Sequence, residues 1–479
     1  MIRLTDVSFS YDEQQENGLK NISLHIPKGQ FLLLCGESGC GKTTVTRLID
    51  GLIPHFYDGP LSGRTEVCGM DTAATEIAVL SDHIGSVFQN PRTQFFNTDT
   101  DSELAFGLEN RALPVEDIRS RMAEVAQKLK IGHLMGRSIF QLSGGEKQKI
   151  AFASVYTSAP EVLVLDEPSS NLDPQSIAEL TALLMQAKEA GHTIIIAEHR
   201  IWYLMGLADR VVFMEQGRIG RDMDIAAFKA LSEAERIAMG LRCRDLRDIV
   251  VQGVAHAEQT ATVSAEHLTV RLDDKAVLDD VSFTARAGEI IAITGRNGAG
   301  KTTLARALCG LQKPTSGRIA SSTAPLREKQ RKRQSYMVMQ DVNHQLFTDS
   351  VEAECRLGTR APDAEAIHGA LDLLDLAAFK DRHPLSLSGG QKQRLAVAVS
   401  LLCGKDVIIF DEPTSGLDLR SMQEVGRLAL KLVHQGKILL VITHDYEFIA
   451  ALCTRVLCLE NGRLASDRPV ESIENLLSF

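Results

Sequence analysis

Lys42 and Lys301 each close a loop of glycines, and each runs straight into two threonines. The first loop reads Gly36-Glu37-Ser38-Gly39-Cys40-Gly41-Lys42-Thr43-Thr44, the second Gly295-Arg296-Asn297-Gly298-Ala299-Gly300-Lys301-Thr302-Thr303. Glycines let backbone N–H groups turn inward on an anion, the lysine meets β- and γ-phosphates, and the first threonine hydroxyl reaches Mg²⁺. The chemistry is the cradling of a triphosphate. One such loop arises by chance in on the order of one per cent of chains this long, given average residue usage. Two copies, each after an apolar run, leave chance little room.

The carboxylates follow the same double pattern. Asp166-Glu167-Pro168 and Asp411-Glu412-Pro413 each end an apolar run, which places the aspartate for Mg²⁺ coordination. Glu167 and Glu412 come directly after, so they project differently and can take a proton from attacking water. A base of that kind contributes about 10²–10⁴-fold. Upstream stand Leu142-Ser143-Gly144-Gly145-Glu146 and Leu387-Ser388-Gly389-Gly390-Gln391. Serine to aspartate is 23 residues in both copies (166−143, 411−388), and aspartate to His199 or His444 is 33 in both (199−166, 444−411). An acidic pair at a strand end is only moderately specific alone. The fixed spacing makes it strong.

The elements that must position these groups also come in pairs. Ile2–Ser10 with Ile22–Ile26, and Ala265–Val270 with Val281–Ala285, alternate in polarity and read as an antiparallel β-layer. Gln30–Cys35 and Ile290–Thr294 are solid apolar runs that deliver the glycine loops, the pattern of a parallel sheet in an α/β fold. Val162–Leu165, Thr193–Ala197, Val407–Phe410 and Ile438–Thr443 supply further core strands. Between glycine loop and serine motif lies a mostly helical region that includes Val115–Lys130 and Asp363–Leu376. It spans 101 residues from Lys42 to Ser143 but 87 from Lys301 to Ser388. Either loop length has drifted, or the halves face different partners through this region.

Length and composition bound the answer. The 479 residues divide at the repeat into a first domain over 1–240, a linker over 241–262 and a second domain over 263–479. Ile225–Val250 is helix-like and Gln252–Thr262 small and polar, a junction suited to lobes that stay together yet separate and close. The net charge of −10 argues against a general nucleic-acid surface. No apolar run reaches the roughly 18 residues of a membrane span, and the N-terminus lacks a basic-then-apolar signal. The nine cysteines form no CxxC pair and read as reduced, mostly buried thiols. Cys40 is the exception, because its place in a phosphate loop predicts thiol sensitivity. The basic run Arg327–Arg333 reads as a solvated face, with contact to an acidic partner or anionic lipid as the alternative.

Taken together, the glycine loops, Gln89 in Val-Phe-Gln-Asn, Gln340 in Val-Met-Gln-Asp, the Leu-Ser-Gly-Gly motifs, the Asp-Glu-Pro motifs and the histidines resemble the ABC ATPase family, twice over nearly the whole chain. The resemblance implies two ABC domains, each with a RecA-like α/β core, an antiparallel β-layer and a helical subdomain. It implies MgATP as the nucleotide and a head-to-tail pairing of the two domains. Lys42, Gln89, Asp166, Glu167 and His199 would then act with Ser388–Gln391, and Lys301, Gln340, Asp411, Glu412 and His444 with Ser143–Glu146. Thr43, Gln89 and Asp166, and likewise Thr302, Gln340 and Asp411, would hold Mg²⁺. Asn171-Leu172-Asp173 and Gly416-Leu417-Asp418 match the loop that communicates between the domains.

Two departures fall on one implied site. Tyr11 stands where the family stacks an aromatic on adenine, whereas the second half offers Val270-Arg271-Leu272. The first signature ends in Glu146, the second in Gln391. The site built from the second loop and the first signature is therefore expected to bind adenine more weakly and turn over differently.

Gln89–Phe96, Glu103–Asn110, Gly144–Lys149 and Ala197–Arg200 are similar to energy-coupling-factor ATPases. That resemblance implies an importer of vitamins, metal ions or other trace nutrients, at the cytoplasmic face of the membrane. Its partners would be an integral-membrane coupling subunit and a small substrate-binding membrane subunit, with no nucleic acid. A tandem ATPase acting on ribosomes and a sugar-importer ATPase are the alternatives.

Overall fold

A computed structural model describes residues 1–11, 18–251, 261–273, 275–322, 324–357 and 363–477. The chain forms two compact units, Met1–Asp245 and Leu246–Phe479.

The first unit is organised by the apolar run Phe31–Gly36, whose six residues are all buried. A strand with no polar face must be covered on both sides, and it pairs in parallel with Thr193–Ala197 on one edge and Arg210–Glu215 on the other. The six-stranded sheet runs Arg218–Asp224, Arg210–Glu215, Phe31–Gly36, Thr193–Ala197, Val162–Asp166, Ile84–Val87, with Arg218–Asp224 the antiparallel edge. Side chains alternate between two cores. Leu32 and Leu34 face the helix Lys42–Ile49 and an antiparallel layer built on Ile2–Ser10, Gly18–Ile26 and Leu61–Val67. Phe31, Leu33 and Cys35 face the helices Gly144–Thr157 and Pro174–Glu189.

The second unit repeats this plan. Its sheet runs Ser335–Val338, Val407–Asp411, Ile438–Ile442, Ile290–Thr294, Arg455–Glu460, Arg463–Pro469. Its layer is Lys275–Arg286, Thr262–Leu272, Ser316–Ser321 and Ala324–Pro325. The helices of the intervening region include Thr100–Asn110 and Val115–Lys128 in the first unit, Val351–Arg356 and Ala364–Leu373 in the second. No helix among the described residues is long and apolar enough to cross a membrane.

Folded structure reaches into the stretch expected to be linker. Ile225–Lys229 and Glu233–Ala238 are short helices, each capped by a side chain (Asp224, Ser232), and Phe228, Met239 and Leu241 are buried in the first unit's core. Arg242 and Cys243 are buried too. Ile249 and Val251 pack on the second unit's core, and linker residues 252–260 lie outside the described residues. The basic run is also not wholly solvated. It folds as the helix Glu328–Gln334, and Arg331 turns inward, 6% exposed beside Gly310, where burial lowers its basicity.

Phe228 is fully buried in the core that also holds the chain's one tryptophan, Trp202, at its margin. Phe228→Ala is expected to destabilise the first unit by about 3–5 kcal/mol. The loss would be read as a lower urea midpoint in tryptophan fluorescence.

Candidate functional site

The first glycine loop can be built from no other residues at two positions. A Cβ on Gly36 (φ 143°) would come 2.2 Å from the Met214 carbonyl oxygen, and one on Gly41 (φ 106°) 2.5 Å from Leu19. Gly39 by contrast faces open space. Helix Lys42–Ile49 begins at Gly41 with no side-chain cap and no acid in its first turn. Its leading N–H groups therefore present positive charge to an incoming anion.

Lys42 is 4% exposed, and its ammonium donates to the Gly36 and Glu37 carbonyls at 2.9 and 3.0 Å and lies 3.3 Å from His199 Nε2. The Lys301 ammonium donates to Gly295 and Arg296 carbonyls at 2.6 and 3.1 Å. A buried cation resting on its own loop's carbonyls is well suited to receive phosphate oxygens.

Thr43 Oγ1 donates to Asp166 at 3.2 Å, and Thr302 Oγ1 to Asp411 at 3.0 Å. Burial pushes the Asp166 carboxyl up to about 6, helped by the neighbouring Glu167 charge and opposed by Thr43 and Lys42. Burial likewise raises Asp411. A hydroxyl and a desolvated carboxylate form a hard oxygen pair, the donor set that suits Mg²⁺.

Glu167 and Glu412 are held at φ 44° and 51°, uncommon for residues with a Cβ. Each backbone N–H is anchored across the sheet, Glu167 to Ala197 at 2.8 Å and Glu412 to Ile442 at 2.9 Å. Gln89 donates to the Glu167 carboxylate at 2.7 Å, and His199 Nε2 stands 3.3 Å from it. His444 stands 3.7 Å from Glu412. Gln340 is exposed two residues beyond its strand Ser335–Val338. Thus Lys42, Thr43, Gln89, Asp166, Glu167 and His199 gather in one place.

Ser143 and Ser388 are the N-caps of Gly144–Thr157 and Gly389–Leu402, each in a reciprocal capping box closed by Glu146 or Gln391. Glu146 accepts from the Ser143 N–H at 2.7 Å and from Arg137 at 2.9 Å. Gln391 accepts from the Ser388 N–H at 2.9 Å. The two residues do the same structural work, but Glu146 brings a charge. Partial burial would raise its carboxyl; the bonds from Ser143 and Arg137 outweigh that and hold it low. Asp173 and Asp418 cap the helices Pro174–Glu189 and Leu419–His434.

Tyr11 is fixed beside the first loop's helix. Its hydroxyl lies 3.3 Å from Thr44 Oγ1 and accepts from Arg47 at 2.9 Å, and the ring meets Phe9 and Tyr57 edge-on. Leu272 in the second unit is 42% exposed.

Cys40 requires a correction. It is 5% exposed, and burial raises its thiol, with Lys42 only partly opposing. The thiolate is the reactive form, so burial works against the thiol sensitivity expected from the loop position. Glu198 is a group that motif spacing did not reveal. Buried at 2%, it accepts from the backbone N–H groups of His199, Arg200 and Ser169 and from the Tyr203 hydroxyl, fixing the loop that carries His199. The signal was a charged residue directly after the apolar run Ile194–Ala197; the second unit has Thr443 there.

The ABC transporter family matches residues 19–170 and 278–415, the two stretches that carry these loops, signatures and carboxylates. The chain belongs to the ABC transporter family. It is a tandem ATP-binding protein, and its domains are ATPases that take ATP with Mg²⁺. A Treponema denticola protein named as an ABC transporter ATP-binding protein is 59% identical over 98% of this chain and 97% of its own length. A Bacillus subtilis protein named for HMP/thiamine import, YkoD, is 33% identical over 98% of this chain and 91% of its own. Among solved structures, a ribosome-bound archaeal Pelota and ABCE1 model shares the fold at TM-score 0.72 and 20% identity, over 99% of this chain and 80% of that one.

The raised Asp166 carboxyl has a stability consequence. Its folded value, about 6, lies above the ordinary 3.8, so at pH 7 the ionised form is disfavoured by folding, and the penalty fades as pH falls through 6. Asp166→Asn is expected to stabilise the nucleotide-free first unit by on the order of 1–2 kcal/mol. The same variant should lose the Mg²⁺-dependent increase in stability that the parent shows with ATP, both read by thermal unfolding.

Proposed function

We propose that this ABC ATP-binding protein hydrolyses MgATP to drive uptake of a trace nutrient, such as a vitamin or metal ion, through separate integral-membrane subunits. The observation that carries this reading is the intact catalytic set in both units, in a chain alike over its whole length to a protein named for HMP/thiamine import. In this proposal Lys42, Gln89, Asp166, Glu167 and His199 serve one nucleotide and Lys301, Gln340, Asp411, Glu412 and His444 the other, with Ser143–Glu146 and Ser388–Gln391 as the signature motifs that complete the machinery.

The surface after Gln89 supports membrane-subunit docking. Phe96 is 75% exposed and stacks on Phe106 of helix Thr100–Asn110, centroids 4.9 Å apart. Phe140, near the signature, is 77% exposed. Large apolar side chains standing clear of the core suit a protein partner.

The two sites handle nucleotide unequally in this proposal. Glu146 already places a carboxylate at the positive end of its signature helix, where it competes with phosphate charge, and Gln391 does not. Leu272 also offers less to adenine than Tyr11.

The test is purification of the tagged full chain from detergent-solubilised membranes. Recovery with small, hydrophobic integral-membrane proteins, reduced by Phe96→Ser, is the expected result. Recovery with ribosomes and no membrane protein would overturn the importer reading.

A further inference from the structure

A cluster of soft and borderline donors lies away from the nucleotide machinery, at the other end of two strands that lead to it. Cys68 follows strand Leu61–Val67, His83 precedes Ile84–Val87, and Glu161 precedes Val162–Asp166. Those last two strands pair in parallel from Ile84 with Val162. Their far ends lead to Gln89 and to Asp166-Glu167. The Cys68 sulfur, a His83 ring nitrogen and a Glu161 oxygen all lie within 4.8 Å of one another. His83 Nδ1 is 3.0 Å from Glu161 Oε1, and Lys28 holds the other oxygen at 3.1 Å. The Met1 thioether lies 3.9 Å from Cys68 Sγ, and the Cys68 N–H donates to the Met1 carbonyl at 2.9 Å. The His83 and Glu161 side chains are 39% and 40% exposed, so an ion can enter from solvent.

The fold does not require this donor set. In the second unit the Ser322 N–H donates to the Thr262 carbonyl as the Cys68 N–H does to Met1. Gln334 and Asp406 precede the paired strands Ser335–Val338 and Val407–Asp411. The same junction is therefore made there from Ser322, Gln334 and Asp406, with no sulfur and no imidazole. Asp406 pairs with Lys437 at 3.4 Å.

We propose that Cys68, His83 and Glu161 form a binding site for a thiophilic divalent cation of the Zn²⁺ class, confined to the first unit, with the Met1 thioether beside it. Thiolate, imidazole and carboxylate are the ligand types Zn²⁺ takes, and three of them leave a fourth position open. A tetrahedral ion spaces such donors about 3.3–3.7 Å apart; His83 Nδ1 and Glu161 Oε1, now 3.0 Å apart, would part slightly to admit it, and the Cys68 sulfur, within 4.8 Å of both donors, lies in reach. Mg²⁺ and Ca²⁺ prefer all-oxygen sites and leave sulfur alone. Zn²⁺ takes cysteine as the thiolate, so binding there releases the Cys68 thiol proton. The ion ties the β-layer to the near ends of the strands that carry Gln89 and Asp166 at their far ends.

The test uses the nucleotide-free full chain, titrated with Co²⁺ as a spectroscopic probe and with Zn²⁺ by calorimetry. One equivalent of Co²⁺ is expected to give a thiolate-to-metal charge-transfer band that Zn²⁺ displaces. Cys68→Ser should abolish the band, and His83→Gln, which installs the second unit's residue, should weaken Zn²⁺ binding at least about tenfold. Both variants should keep parental MgATP hydrolysis, which also verifies their folding. Absence of the band in the parent chain, or a band that survives Cys68→Ser, would overturn the proposal.

Discussion

Each unit depends on one partly buried contact, a threonine hydroxyl donating to the carboxylate that ends a strand two places across the sheet. Thr43 meets Asp166 and Thr302 meets Asp411. The contact joins the first turn of the helix after the phosphate loop to the strand that leads into Glu167 or Glu412, the proposed general bases. It exists because an apolar sheet buried on both faces delivers loop and carboxylate to one edge. Burial makes the carboxylate costly to ionise in isolation, and a cation relieves that cost. The rest follows from it: the lysine parked on loop carbonyls, the glutamate in its strained backbone, and the glutamine and histidine beside that glutamate.

The two units repeat this arrangement with different trimming. In the first, Gln89 and His199 close on Glu167, and Glu198 braces the histidine's loop. In the second, Thr443 stands in place of Glu198 and His444 sits farther from its glutamate. The first unit's signature helix carries the charged cap Glu146, balanced by Arg137, and the second the neutral Gln391. In the proposed reading, equal frameworks with unequal charge let one chain run the same reaction at two rates.

Much of this was legible in the sequence, for physical reasons. Solid apolar runs marked Phe31–Gly36 and Ile290–Thr294, because strands buried on both faces tolerate little polarity. Fixed spacing tied Asp166 to Ser143 and His199, and the family resemblance of the whole motif set implied that Lys42 and Thr43 join Asp166. What stayed hidden depends on packing. Motif position made Cys40 look exposed, yet Leu19, Met214 and the loop itself enclose that region. The mixed composition of the junction concealed Phe228 and Leu241, whose single apolar side chains dock only once the core exists. A basic run disguised Arg331, since one inward residue per turn leaves no mark on composition. The Cys68, His83 and Glu161 cluster comes from three distant segments, and no local pattern joins them.

The central claim is that both units hydrolyse ATP and do so unequally. Steady-state hydrolysis of the full chain with Glu167→Gln and with Glu412→Gln, measured side by side with the parent, tests it most directly. Each substitution is expected to lower turnover, and the two variants to keep different residual rates. Unchanged hydrolysis in either variant, or the same residual rate in both, would contradict it.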